Sequence, residues 1–313
     1  MENWFNVIGW LLSVLTATGN GFVVILIAKT RRLHSSANWF ILSLAVADFG
    51  VGIAVYPVGY FCHNSIMTCN ARVYMAFFWF FLHASVSNVC TLTWDRYVAI
   101  VHPFKYNTSM IKRRPGVVIL VAWLIPFAIS LSLFVGMYAT NSKTAWKVFR
   151  TIGVSTFDIV SCVSLFCAVV RILVSARAQS HQVREIELQL QCNFSSPEAG
   201  TPRRRRKPRR TPTARFIVAL VGFFLGCYVI VNFLVLCVTF SCPVPEEEVG
   251  HIVTSLLVLN SAVNPVAYAL LKRDVKREIG LFISHMSNSS RSLGRPHLEP
   301  TIMAQFGQRA EPS

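Results

Sequence analysis

The chain has 313 residues, 53% of them hydrophobic and only 14% charged, with a formal net charge of +16. An ordinary soluble domain carries roughly 25% charged residues, so that class is excluded. The basic residues are concentrated in short segments between apolar runs, a pattern that membrane topology explains without nucleic-acid binding.

Seven runs are long enough to cross a hydrocarbon core of roughly 30 Å as helices, which satisfy their own backbone hydrogen bonds where no water is available. They fall at about 7–28, 39–61, 71–101, 116–138, 149–175, 214–240 and 249–271, and are called spans one to seven. The expected fold class is an all-α membrane protein, a seven-transmembrane helix bundle over 7–271, preceded by a short outer segment, 1–6. No positive charge precedes span one, so it reads as a retained helix and not as a secretory signal peptide.

Span one carries Gly19-Asn20 and is followed by Lys29, Arg31 and Arg32. Span two carries a mid-membrane carboxylate, Asp48. Cys62 and Cys69 bracket the next short loop, near the oxidising face, and are the candidate disulfide; most other cysteines lie in spans, where cysteine usually acts as a small apolar residue. Span three opens on an aromatic run, Phe77 to Phe81, passes His83, expected to be a satisfied core residue, and ends in Asp95-Arg96-Tyr97. A charged pair at a membrane edge is costly unless it pairs or meets a partner. Span four contains Trp123. Span five contains Asp158, with two readings side by side: a site for a cationic ligand, or a carboxylate that bonds a neighbouring helix or points outward near the interface.

The connection 176–213 is polar and rich in arginine and proline, and is expected to be disordered, with its basic run topogenic or drawn to anionic lipid. Span seven ends in Asn264-Pro265-Val266-Ala267-Tyr268. Residues 272–284 read as a short amphipathic eighth helix on the inner surface, and 285–313 as a disordered cytoplasmic tail. Lys and Arg cluster in the loops after spans one, three, five and seven, which places the N-terminus outside a multi-pass plasma-membrane protein. The N-x-S/T sites at Asn107, Asn193 and Asn288 then fall on the inner side, so no sugar is expected.

These elements, in this order and each in its own span, resemble the signature set of the class A (rhodopsin-like) G-protein-coupled receptors over about residues 15–285. The resemblance implies a receptor that couples a small extracellular or membrane-borne ligand to heterotrimeric G proteins, with arrestin and receptor kinases as further partners. Arg96 resembles the arginine that meets the G protein on activation, with Asp95 holding it at rest and Tyr97 completing the motif. Phe104 resembles the loop residue that enters a G-protein pocket, and Asn264, Pro265 and Tyr268 the span-seven switch. Asp48, Ser85, Asn260, Ser261 and Asn264 match the family's set for an allosteric sodium ion; the other reading is that Asp48 simply bonds to Asn20 and Asn264. Candidates for lining a ligand pocket are Phe78, Trp79, Leu82, Asp158, Tyr228, Asn232, Thr254 and Val258.

The departures are informative. Aminergic relatives carry an aspartate where this chain has Phe78, and opsins a lysine where it has Val258, so no retinal Schiff base or other cofactor is expected. Span six has Tyr228 for the family's tryptophan and Ile230 for its proline, and span five has no proline or tyrosine. No acidic residue lies between Glu198 and span six to restrain Arg96, which predicts some ligand-independent signalling. Two alternatives stand beside this reading: a decoy that binds without signalling, and a transporter or ion pathway through Asp48, Asp158 and His83. An enzyme is disfavoured, since no nucleophile with a base, metal-ligand spacing or phosphate loop stands out.

Overall fold

The computed structural model describes residues 2–63, 68–140, 142–194, 212–240 and 245–293. Seven helices are long and apolar enough to cross a membrane. Span one is the helix Glu2–Lys29, span three Ala71–Val101, span four Pro115–Ala139, span six Pro212–Thr239 and span seven Glu246–Leu271. The segment expected to precede span one as a separate outer stretch is already part of its helix from Glu2.

Polar and cyclic side chains set several helix ends. The Asn70 side chain accepts from the backbone N–H groups of Arg72 (3.0 Å) and Val73 (3.4 Å), which caps span three. Pro103 and Pro115 stand at the first positions of the helices Pro103–Tyr106 and Pro115–Ala139, where the missing N–H has no intrahelical partner to lose. Span two is broken: Ser36–Ala54 stops at Val55 and the helix restarts as Tyr56–His63. Pro57 cannot donate to the turn before it. Across this break the Tyr74 hydroxyl of span three donates to the Val55 carbonyl at 2.9 Å.

Spans one to seven pack side by side in chain order, and span one also packs on span seven, closing the ring. Span three touches spans two, four, five and six, so it forms the central post. Helices in lipid gain little from hydrophobic burial against one another, and close approach through small residues takes its place. A Cβ on Gly52 would lie 2.8 Å from the Ala17 backbone nitrogen, so spans one and two touch backbone to backbone there.

Two expectations are corrected. Span five does not end near residue 175 but continues as one helix, Lys143–Phe194, so residues 176–194 are helical; the rest of the basic connection, 195–211, lies outside the described residues. A helix propagates from an existing end more readily than it nucleates, and span five supplies that end. The eighth helix likewise runs Arg273–Leu293, past the expected end at 284, so the serine-rich start of the tail is helical. The remainder of the tail is outside the described residues.

Candidate functional site

The Arg96 end of the bundle is organised by one carboxylate. Asp95 is fully buried. Arg96 Nε donates to its Oδ2 at 2.8 Å, Arg96 Nη2 donates to the same oxygen, and the Tyr106 hydroxyl donates to Oδ1 at 2.9 Å. Tyr106 reaches back because the chain turns at His102 and Pro103 into the short helix Pro103–Tyr106. Burial, followed by the charge of Asp95, pushes the Tyr106 phenol up to about 12, so it remains a donor at neutral pH. Arg96 keeps 18% of its side chain exposed. With Leu92, Phe216, Lys272 and Asp274 it lines a cavity of about 320 Å³.

Lys272, on the wall of that cavity, donates to Asn38 Oδ1 of span two. Burial lowers the lysine to about 8, the positive charge of Arg96 adds to the effect, and Asp274 and Asp95 oppose it. Tyr97 does not join Arg96: its ring stacks on Trp94 (centroids 5.1 Å, 24°) on the outside of span three. Phe104 is 96% exposed, an apolar side chain presented without a protein partner.

Halfway along the bundle, Ser85 Oγ donates to Asp48 Oδ1 and Asn264 Nδ2 to Oδ2, both at 2.6 Å. Of the two partners expected in the simple hydrogen-bonding reading, Asn264 bonds Asp48 and Asn20 does not. Pro265 cannot donate to the Ser261 carbonyl four residues before it, and Asn20 Nδ2 donates there instead at 3.1 Å. The Pro265 ring packs closely on span one here, since a Cβ on Gly19 would stand 3.1 Å from Pro265 Cγ. Asn260 and Ser261 are buried on the same span, and the buried oxygen Asn20 Oδ1 has no donor. By donor type these residues fit a small hard cation, which takes carboxylate, hydroxyl and amide oxygens. Among the described residues no cluster of three or more His, Cys, Asp or Glu could hold a metal. Tyr268 is fully buried with its hydroxyl unpartnered, against Phe216 (5.7 Å). A second polar chain ties spans two, three and four: Trp123 Nε1 donates to Ser43 Oγ (2.9 Å), and Ser43 Oγ to Asn88 Oδ1 (2.7 Å).

Nearer the other end, Trp79, Leu82, Asp158, Tyr228 and Asn232 line one small cavity of about 20 Å³, together with His83, Ser155, Val253 and Leu257. Phe78, Thr254 and Val258 do not line it; Phe78 packs edge-on to Tyr74 (6.0 Å) and Trp79 (5.1 Å) instead. His83, expected to be satisfied, is buried with both ring nitrogens unpartnered, between Trp79 (5.6 Å, stacked) and Phe157 (4.8 Å, edge-on). Ser155 Oγ is unpartnered as well. Asp158 is buried and makes no hydrogen bond or ion pair among the described residues. His83 and Ser155 were missed as pocket residues although helical spacing marks them: His83 is four residues after Trp79, and Ser155 three before Asp158. Tyr228 fills the place of the family's tryptophan and stacks on Phe224 (4.3 Å, 15°).

Cys62 and Cys69 are joined by a disulfide, with Cα atoms 5.3 Å apart. Cys237, which falls in span six among the cysteines read as small apolar residues, is also disulfide-bonded.

This arrangement of seven helices around a central span three, with a carboxylate–arginine pair at one end and a polar layer at mid-depth, is that of a membrane receptor. The family described as 7 transmembrane receptor (rhodopsin family) is matched over residues 19–268, and the chain belongs to it. It is similar to octopamine receptor beta-2R of Drosophila melanogaster, 26% identical over 88% of this chain and 61% of that receptor. Adenosine receptor A2a of Cavia porcellus is 25% identical over 85% of this chain and 69% of its own length. Trace amine-associated receptor 6 of Pan troglodytes is 25% identical over 90% and 86%, respectively. The chain is therefore a multi-pass membrane receptor of the rhodopsin family and not an enzyme.

Proposed function

We propose that this receptor sits in the plasma membrane with its N-terminus outside and couples an extracellular small cationic ligand to heterotrimeric G proteins. The observation that carries the ligand class is Asp158: a buried carboxylate without a protein partner, lining a cavity that also holds the unbonded His83 and Ser155. Ionising a carboxylate this deeply buried calls for a counter-charge, and an amine supplies one. The amine-binding function named for the octopamine and trace amine-associated relatives agrees in class. Here the anchor is on span five, because Phe78 occupies the span-three position. The cavity, at about 20 Å³, is too small for such a ligand, so binding opens it and parts spans three, five and six.

The coupling surface is the cavity at Arg96 with the projecting Phe104 beside it. The Asp95–Arg96 pair holds the resting state; release frees Arg96 for the G protein and, in turn, for arrestin and receptor kinases. Sodium held through Asp48, Ser85, Asn260, Ser261 and Asn264 favours that resting state. Without an acid on span six to restrain Arg96, some signalling proceeds without ligand.

Guanine-nucleotide exchange on a panel of G proteins, measured with purified receptor in vesicles, tests the reading. The expected result is exchange that amines raise, that Arg96→Ala abolishes, and that Asp158→Asn makes insensitive to amines while basal exchange persists. Ion flux in the same vesicles with no exchange would replace the receptor reading by the transport one.

A further inference from the structure

A large cavity lies on the side of the molecule, between spans three, four and five. It has a volume of about 560 Å³ and runs along span three from Ser87 to Tyr97, with Ile125 of span four and Ala168 and Arg171 of span five on its walls. Ten residues of helix rise about 15 Å, which is one leaflet's share of a hydrocarbon core of roughly 30 Å. Three wall hydroxyls are bonded within their own helices, Thr91 to the Ser87 carbonyl (2.9 Å), Thr93 to that of Val89 (2.8 Å) and Ser164 to that of Val160 (2.7 Å). Among the described residues that line it, the one charged group is Arg171, exposed and without a hydrogen bond or ion pair.

Arg171 marks the lower end of the cleft. Eight residues further along span five, Gln179 Nε2 donates to the Ile100 carbonyl at 2.9 Å, so Arg171 stands at most about 12 Å above that contact, near the level of Arg96. Trp94, an exposed indole on the cleft wall, lies at the same level, where aromatic side chains of membrane proteins meet lipid headgroups. A lone guanidinium at this depth calls for an anion, and the leaflet on the Arg96 side is the one rich in anionic lipid under the orientation proposed above.

We propose that this cleft is a binding site for an anionic phospholipid of the inner leaflet, its headgroup on Arg171 beside Trp94 and one acyl chain lying along span three toward Ser87 and Ile125. The site needs no ligand or G protein, so its failure is distinguishable from failure of the coupling reading.

Full-length receptor in nanodiscs of phosphatidylcholine doped with phosphatidylserine, released into native mass spectrometry, tests it. Wild type and R171K are expected to retain phosphatidylserine in preference to phosphatidylcholine. R171Q loses that preference by roughly fivefold, the ratio a single basic residue near an anionic surface supplies. A168F, which fills the cleft and leaves the charge, loses the bound lipid. Unchanged preference in R171Q overturns the proposal, as does an equal loss in R113Q on the neighbouring loop, or retention of a free fatty acid instead of phospholipid. Where R171Q does not fold, A168F decides: retained phosphatidylserine overturns the site.

Discussion

Tyr106 donates a 2.9 Å hydrogen bond to Asp95 on the side opposite Arg96, so the carboxylate that grips the arginine is itself gripped from the loop after span three. Tyr106→Phe removes that donor while keeping the ring. A hydrogen bond to a charged group contributes about 1.5 kcal/mol or more, and less where it is partly exposed, as here. Loss of about 1 kcal/mol from the resting state corresponds to roughly fivefold more basal nucleotide exchange. Exchange unchanged at matched surface density would mean that the tyrosine serves the loop alone.

Lys272 gives the receptor a pH signature. Its folded value, about 8, lies below the ordinary 10.5, so between these values the unfolded chain binds more protons than the folded one. Stability therefore rises with pH from about 8 to 10.5, and below 8 the penalty for the buried charge is fully present. Lys272→Met is expected to raise the unfolding midpoint at pH 7 and to flatten its dependence over that window, as followed by thermal melting in detergent.

Asp48→Asn removes the charge that a bound cation requires while leaving an acceptor for Ser85. Sodium, compared with N-methylglucamine at equal ionic strength, is expected to lower basal exchange and raise the unfolding midpoint of the wild type. Neither response should survive in the variant. A sodium response that persists in Asp48→Asn would place the ion elsewhere.

The disulfide between Cys62 and Cys69 closes a short loop, with a sequence separation of 7. Chain-entropy arguments give about 2–3 kcal/mol for a loop this small. Cys62→Ser should lower thermal stability accordingly without abolishing expression, and the non-reduced peptide spanning both cysteines should run two mass units light.

The spans were legible because lipid admits one solution for the backbone, and each apolar run announces its helix. The partners of Asp48 were half legible: a buried carboxylate needs donors, but that Asn20 serves the Ser261 carbonyl follows from where Pro265 sits in three dimensions. The extension of span five was misjudged because polar composition was read as disorder, whereas residues 176–194 inherit a nucleus from the span they continue. Tyr106 carried no signal at all. Its value lies in a turn that brings it back eleven residues to Asp95, and no periodicity encodes that return.

The continuous rod of span five is 52 residues, about 78 Å end to end, more than twice what a bilayer core requires. A pivot at the level of Asp158 leaves some 36 residues, or about 54 Å, beyond the fulcrum. A swing of only 5° there sweeps the far tip through roughly 5 Å. Whatever docks against that tip would sense a displacement several times that of the residues one or two turns from the fulcrum, making the rod a mechanical amplifier.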